Sequence, residues 1–198
     1  MSKFKSQLEI ALTLEMDYGG RFQLPNPTPS AVLVLFAEDQ HGGSPHVLVT
    51  RRTETVETHK GQMAFPGGVC DPEDFEQAGE HTTALRETEE EVGIHREKIS
   101  VLGGLPKLWT PSGFQISPVV GWLDLPFSQL ELRVNQDEIA ETIWVPWNVL
   151  IDPATYRLES KQAGSVTFPI HVYQVGPHRI WGATGAILWN LIQRLNKI

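Results

Sequence analysis

The chain has 198 residues, 40% hydrophobic and 20% charged, an ordinary globular balance that excludes a disordered, collagen-like or coiled-coil polypeptide. Sixteen basic against twenty-four acidic side chains leave a net charge of −8, which repels phosphate backbones and argues against a nucleic-acid partner. The single cysteine, Cys70, excludes an internal disulfide framework and a cysteine-rich zinc site, and suits a reducing, cytoplasmic setting.

Residues 1–12 lack the continuous apolar run of a signal peptide, and no stretch approaches a membrane span, so no membrane partner is expected. Phe4, Leu8, Ala11, Leu12 and Leu14 recur at helical spacing and predict a short amphipathic helix over 4–14. Pro25, Pro27 and Pro29 make the next stretch a stiff, extended connector. The apolar run 31–37 predicts a buried strand, 41–45 a turn, and 47–50 its hairpin partner. Residues 59–74 read as loop, punctuated by Phe65-Pro66-Gly67-Gly68. A helix is predicted over 82–92 with Gly93 as its left-handed C-terminal cap. Strands follow near 99–103, 115–123 and 142–145, then a helical turn at 147–150. Two late strands, 166–168 and 170–175, precede a helix over 183–195. Helices mixed irregularly among strands predict an α/β or α+β domain.

The most informative stretch is Arg86-Glu87-Thr88-Glu89-Glu90-Glu91-Val92-Gly93-Ile94. On a helix, Glu87, Glu90 and Glu91 fall within an arc of roughly 100°. Leu85, Thr88 and Val92 lie opposite, on the side expected to be buried. Like charges at i, i+3 and i+4 cost about 0.2–0.5 kcal/mol per pair, and a hard divalent cation turns that repulsion into coordination. Arg86 can reach Glu90 one turn on. Just upstream, Gly67 and Gly68 allow backbone N–H groups to approach an anion closely. A phosphate-cradling turn beside a cation-holding helix is the apparatus of a diphosphate hydrolase.

These residues resemble the signature of the Nudix hydrolase family, G-x5-E-x7-R-E-U-x-E-E-x-G-U, where U is aliphatic. The second half matches from Arg86 to Ile94 except at Thr88, which takes the first U. In the first half, Gly68 stands 18 residues before Arg86, four more than the signature has, so the loop carries an insertion. Asp71, Asp74 and Glu80 are all candidates for the first acidic position. Upstream, the chain is similar to the coenzyme A pyrophosphatase branch, L-L-T-x-R-[SA]-x3-R-x3-G-x3-F-P-G-G. Here this reads Leu48-Val49-Thr50-Arg51-Arg52-Thr53, then Glu57, Gly61 and Phe65-Pro66-Gly67-Gly68, with the spacing intact. Thr53 replaces a smaller residue. Glu57 replaces an arginine, a change from a phosphate-attracting to a phosphate-repelling group.

The resemblance implies an α/β/α sandwich with a mixed β-sheet, a single domain over 1–198 whose core is 30–198. It implies a metal-dependent enzyme that hydrolyses a nucleoside diphosphate linked to another group. Coenzyme A or a derivative is the first substrate; ADP-ribose, a nucleotide sugar or a nucleoside triphosphate is the alternative. A non-catalytic nucleotide-binding module is a third reading. Glu87, Glu90 and Glu91 match the glutamates that hold Mg²⁺ or Mn²⁺, with Arg86 as their partner. Gly67, Gly68, Arg51 and Lys60 are the expected substrate contacts. The family's general base varies in position: it is a helix glutamate, with Glu87 and Glu90 among the catalytic candidates, or one from a late loop, where Glu138, then Glu141, are the choices. His59 is a further phosphate candidate, and Trp109, Phe114 and Trp181 are candidates to stack a base. A nucleophilic Cys70 would need a basic partner that the sequence does not display. A homodimer is compatible with the family.

Overall fold

The structure is a computed structural model and describes residues 2–16, 25–40, 43–55, 59–77, 79–163 and 166–198. Helix α1 (Lys3–Thr13) starts at Ser2, whose hydroxyl accepts the Lys5 N–H, and buries Leu8 and Ala11. Strand β1 (Thr28–Ala37) is the centre of the fold. Its apolar run is buried on both faces, as a strand covered from two sides requires. It pairs in parallel with β7 (Phe114–Leu123), and antiparallel with β2 (His46–Arg52) at one end and β4 (Gly67–Val69) at the other. Strand β2 also pairs with β3 (Met63–Ala64) and β8 (Ile139–Pro146), and β7 with β5 (Ile99–Gly104) and β6 (Leu108–Trp109). One parallel pair in an otherwise antiparallel array makes the sheet mixed.

Alternation along β1 divides the core in two. Ala31, Leu33 and Leu35, with Leu48, Val119 and Leu123, pack beneath α2 (Glu80–Val92) through Ala84 and Val92. Val34 and Phe36, with Val47, Val49, Val120 and Trp122, pack beneath α1 and α4 (Gly182–Leu195) through Leu8, Leu188 and Leu191. The result is the expected α/β/α sandwich. A short helix, α3 (Trp147–Leu150), wedges Trp147 against Phe4 and Phe36 at ring distances of 5.7 and 5.3 Å. A second sheet of β9 (Tyr156–Ala163), β10 (Val166–Val175) and β11 (His178–Ile180) flanks α4. Among the described residues no helix is long and apolar enough to cross a membrane.

The structure corrects several expectations. The stretch 59–74 is not loop throughout. It contains β3, β4 and a 3-10 turn at Pro72–Glu76, because pairing with β2 and β1 fixes segments too short to show periodicity. The two late strands are one: β10 runs through Pro169, opposite Ser160. Proline there forfeits one ladder donor, but its φ fits the extended chain. Strand β9 was not expected, since Tyr156–Ala163 mixes charged and apolar residues without a buried face; pairing with β10 supplies the order. The expected turn at 41–45 falls partly on residues 41–42, which lie outside the described residues.

Candidate active site

Helix α2 starts at Glu80, two residues before expectation, and ends where Gly93 turns left-handed at φ 74°. A side chain at Gly93 would strike the Arg133 backbone at 2.9 Å, so glycine serves both the cap and the passage of the loop beside it. Thr88, the departure from the aliphatic pattern, is fully buried and donates to the Ala84 carbonyl at 2.7 Å. Its hydroxyl is thereby satisfied in an apolar setting, which explains why threonine is tolerated.

Arg86 organises the acidic groups. Its Nη1 lies 3.0 Å from Glu87 and 2.9 Å from Glu90, and its Nη2 lies 3.3 Å from Asp74 and 3.2 Å from Asp71. Asp74 is buried and also accepts from the Thr83 hydroxyl at 2.7 Å and the Asp71 N–H at 3.1 Å. Burial works against the Asp74 charge, but Thr83, Arg86 and the Asp71 N–H together hold the carboxyl below its ordinary range. Of the three candidates for the first acidic position, Asp74 is thus the one that is buried and bonded to Arg86. It keeps the six-residue spacing from Gly68, so the four extra residues fall between Asp74 and Arg86. Asp71 is mostly exposed, and Glu80 pairs with Lys107.

The three helix glutamates differ sharply. Glu90 is 57% exposed, Glu87 17% and Glu91 only 3%. Glu91 was expected to point away from the buried side of α2. It is instead buried itself, because β2, β4 and the loop before β8 close over the flank of the helix where it emerges. Arg52 Nη1 stands 3.6 Å from its Oε1, while Oε2 has no hydrogen-bond partner. Burial pushes the Glu91 carboxyl up to about 8; Arg52 and the Gly67 N–H oppose this, and Glu87 and Glu138 add to it. Burial likewise raises Glu87 against the pull of Arg86, with Glu90 and Glu138 adding to the rise.

Gly67 and Gly68, expected as a turn, are instead part of strand β4, paired with Val32 and Ala31 of β1. Gly67 sits so close to β1 that a Cβ would meet the Ala31 carbonyl at 2.2 Å. A Cβ on Gly68 would meet the Glu87 carboxylate at 2.5 Å. The pair is therefore pressed between the central strand and the acidic helix; at Gly67 the obstacle is backbone and φ is 155°, so only glycine fits, whereas at Gly68 it is the carboxylate end of Glu87.

The remaining candidates separate by sheet face. Glu138, in the turn before β8, interacts electrostatically with both Glu87 and Glu91. Glu141 lies across the sheet, on the side of Ile143 and Val145, where it meets Arg51 at 3.2 Å and His178 at 3.8 Å. Arg51, an expected substrate contact, is therefore paired with Glu141, and its neighbour Arg52 faces Glu91. Arg52 was not among the expected contacts, although it stands at the arginine of the branch pattern and alternation along a strand sends neighbours to opposite faces. Lys60 is exposed beside His59, which holds a left-handed φ of 57° and contacts Gln62 at 3.1 Å. Trp109 is half-buried in β6, and Trp181 lies beneath Arg179 at 5.1 Å. Burial raises the Cys70 thiol, which makes it a poor nucleophile. Glu57 lies outside the described residues.

Among the described residues, no three histidine, cysteine or carboxylate groups already enclose a common point. The donor set nevertheless fits a hard divalent cation. It offers carboxylate oxygens, one of them buried and unpaired, whose mutual repulsion a 2+ charge removes.

Comparison with known proteins places the chain in a family. A family model of the NUDIX domain matches residues 27–164. The chain is 35% identical over 188 residues to an uncharacterized Nudix hydrolase, NudL, of Photorhabdus laumondii, covering 90% of this chain and 96% of the relative. It is 38% identical over 156 residues to the NudL of Pectobacterium atrosepticum, covering 77% of each. A MutT/nudix family protein from Enterococcus faecalis superposes with a TM-score of 0.53 at 16% identity, covering 100% of this chain and 75% of that one. A NUDIX hydrolase from Alicyclobacillus acidocaldarius gives 0.52 at 19%, covering 86% and 93%. At such identity the structural likeness shows the fold alone.

Proposed function

The chain belongs to the Nudix hydrolase family, and on that footing we propose that it cuts coenzyme A or a derivative into 3′,5′-ADP and 4′-phosphopantetheine. Membership makes it a hydrolase of a diphosphate bond in a nucleoside diphosphate linked to another group. One observation carries the reading of the site: Glu87, Glu91 and Glu138 stand against one another beside Gly67 and Gly68 of β4, at an electrostatic cost that a bound cation offsets.

In this reading Glu87, Glu90 and Glu91 hold Mg²⁺ or Mn²⁺, which neutralises diphosphate charge and acidifies water. Arg86 keeps Glu87 and Glu90 aimed while it satisfies buried Asp74. Gly67 and Gly68 present backbone to a phosphate oxygen. Glu138 takes the proton of the attacking water as the new P–O bond forms and the bridging P–O bond breaks. Lys60 is the side chain proposed to meet the remaining phosphates; Arg51, expected beside it, is paired with Glu141 on the other face of the sheet.

The coenzyme A assignment rests on the intact spacing from Leu48 to Gly68. A second reading, a Nudix enzyme for ADP-ribose, a nucleotide sugar or a nucleoside triphosphate, is favoured by Glu57 at the position of an arginine. A product assay separates them. The protein is incubated with Mg²⁺ or Mn²⁺ and each of the four nucleotides, with Glu91→Gln as control. Release of 3′,5′-ADP from coenzyme A alone is the expected result. Cleavage of another nucleotide with coenzyme A left intact would overturn the substrate assignment. Silence on all four would overturn both substrate readings and favour an untested substrate or the non-catalytic module.

A further inference from the structure

Glu138 sits in an irregular turn, yet the backbone on both sides of it is hydrogen-bonded. The Arg133 N–H donates to the Val92 carbonyl at 3.1 Å, and the Asn135 N–H to the Glu91 carbonyl at 2.9 Å. These two bonds strap the approach to Glu138 onto the C-terminal end of α2. The Asp137 N–H donates to Asn135 Oδ1 at 3.2 Å, and the Glu138 N–H to the Asn135 carbonyl at 3.2 Å. From the other side come two threonines in the exit from β2. The Thr53 hydroxyl donates to the Asp137 carbonyl at 3.0 Å, and the Thr55 hydroxyl reaches the same oxygen at 3.4 Å. The two hydroxyls are 2.9 Å apart. The Thr53 N–H donates to the Glu138 carbonyl at 2.8 Å.

The peptide that joins Asp137 to Glu138 is therefore held at its carbonyl and at its N–H, and the next carbonyl is held as well. Next to it the β2–β8 ladder slips by one residue. Arg51 faces Glu141 while Arg52 faces Ile139, which leaves Ala140 unmatched. Such bulges re-aim neighbouring side chains. A glutamate on an exposed turn ordinarily samples several orientations. Here its backbone is fixed relative both to α2 and to β2, the two elements that carry Glu91 and Arg52.

We propose that Thr53, supported by Thr55, is a latch that positions Glu138 against Glu87 and Glu91. This rests on Glu138 as the general base. Thr53 touches no reacting group in this scheme; it is a positioning residue. Its hydroxyl matters and its methyl does not, so Thr53→Ser keeps function and the isosteric Thr53→Val loses it.

The test uses kcat on whichever nucleotide the product assay shows to be cut, with amide hydrogen exchange at 137–139 as a readout independent of turnover. Thr53→Val is expected to lower kcat about tenfold with KM within twofold, and to speed exchange at 137–139 with an unchanged melting temperature. Thr53→Ser restores kcat. Thr53→Val combined with Glu138→Gln loses no more than Glu138→Gln alone, because both act on one step. Multiplicative losses in the double variant would mean that Thr53 acts elsewhere and would overturn the latch. Unchanged kcat and exchange in Thr53→Val, beside an impaired Glu138→Gln, would overturn the latch alone. Near-normal turnover of Glu138→Gln would overturn the base assignment on which it rests.

Discussion

The two faces of the central sheet make opposite use of charge. On the α4 face, Arg51, Glu141 and His178 lie at the partly exposed margin of a core filled by Val34, Phe36, Val47, Leu188 and Leu191. On the α2 face, Glu91 is buried with one oxygen unpaired, and Glu87 and Glu138 press on it. The first face spends charge where water screens it and stabilises the fold by apolar burial. The second concentrates like charge where water is excluded. That arrangement costs stability in the metal-free protein, and it suits a site that receives a cation and a diphosphate.

The largest way to break this contrast is Glu91→Gln. We expect kcat to fall by about three orders of magnitude, or ~4 kcal/mol of transition-state stabilisation, with the circular dichroism spectrum unchanged. Near-normal hydrolysis would remove Glu91 from the metal site. Next is Arg86→Ala, which leaves buried Asp74 without its cation. A loss of about 3–5 kcal/mol and a drop in melting temperature on the order of 10 °C are expected. A change below ~1 kcal/mol would show that Thr83 and the Asp71 N–H hold Asp74 alone.

A third prediction concerns pH in the presence of a chelator. Glu91 has a folded pKa pushed up to about 8 from an ordinary 4.5, so the folded protein binds the extra proton between those values. Stability therefore falls as pH rises from about 4.5 to about 8, and the raised Glu87 adds in the same direction. Glu91→Gln removes the Glu91 part. By urea unfolding the variant should be more stable than the parent at pH 8, on the order of 2–4 kcal/mol, and close to it near pH 4.5. An unchanged pH slope in the variant counts against the buried charge. The smallest effects sharpen the comparison of faces: Glu138→Gln should lower kcat about 100-fold, and Glu141→Gln less than about threefold. The reverse order would move the base to the α4 face.

Much of this was legible before folding was considered. Helical spacing placed Glu87, Glu90 and Glu91 together, because side chains three and four apart share a helix face whatever the helix packs against. The same rule put Arg86 within reach of Glu90, and the structure has that pair at 2.9 Å. The buried strand at 31–37 and the C-terminal helix followed from hydrophobic patterning, since covered elements need apolar faces.

What the sequence left open was settled by contacts between distant segments. Counting from Gly68 gives Asp74 but counting back from Arg86 gives no acid, which left Asp71, Asp74 and Glu80 open; burial against Thr83 and Arg86 distinguishes Asp74. Glu138 and Glu141 are three residues apart and chemically alike, and only the sheet decides which one faces α2. Strands β3, β4 and β9 carry no periodicity of their own, and their order comes from the partners beside them. The burial of Glu91 is the clearest case. Helix geometry fixes its angle around the axis, but not what closes over that angle. Local periodicity is set by backbone geometry within a few residues, whereas burial is a property of all the chain that arrives from elsewhere.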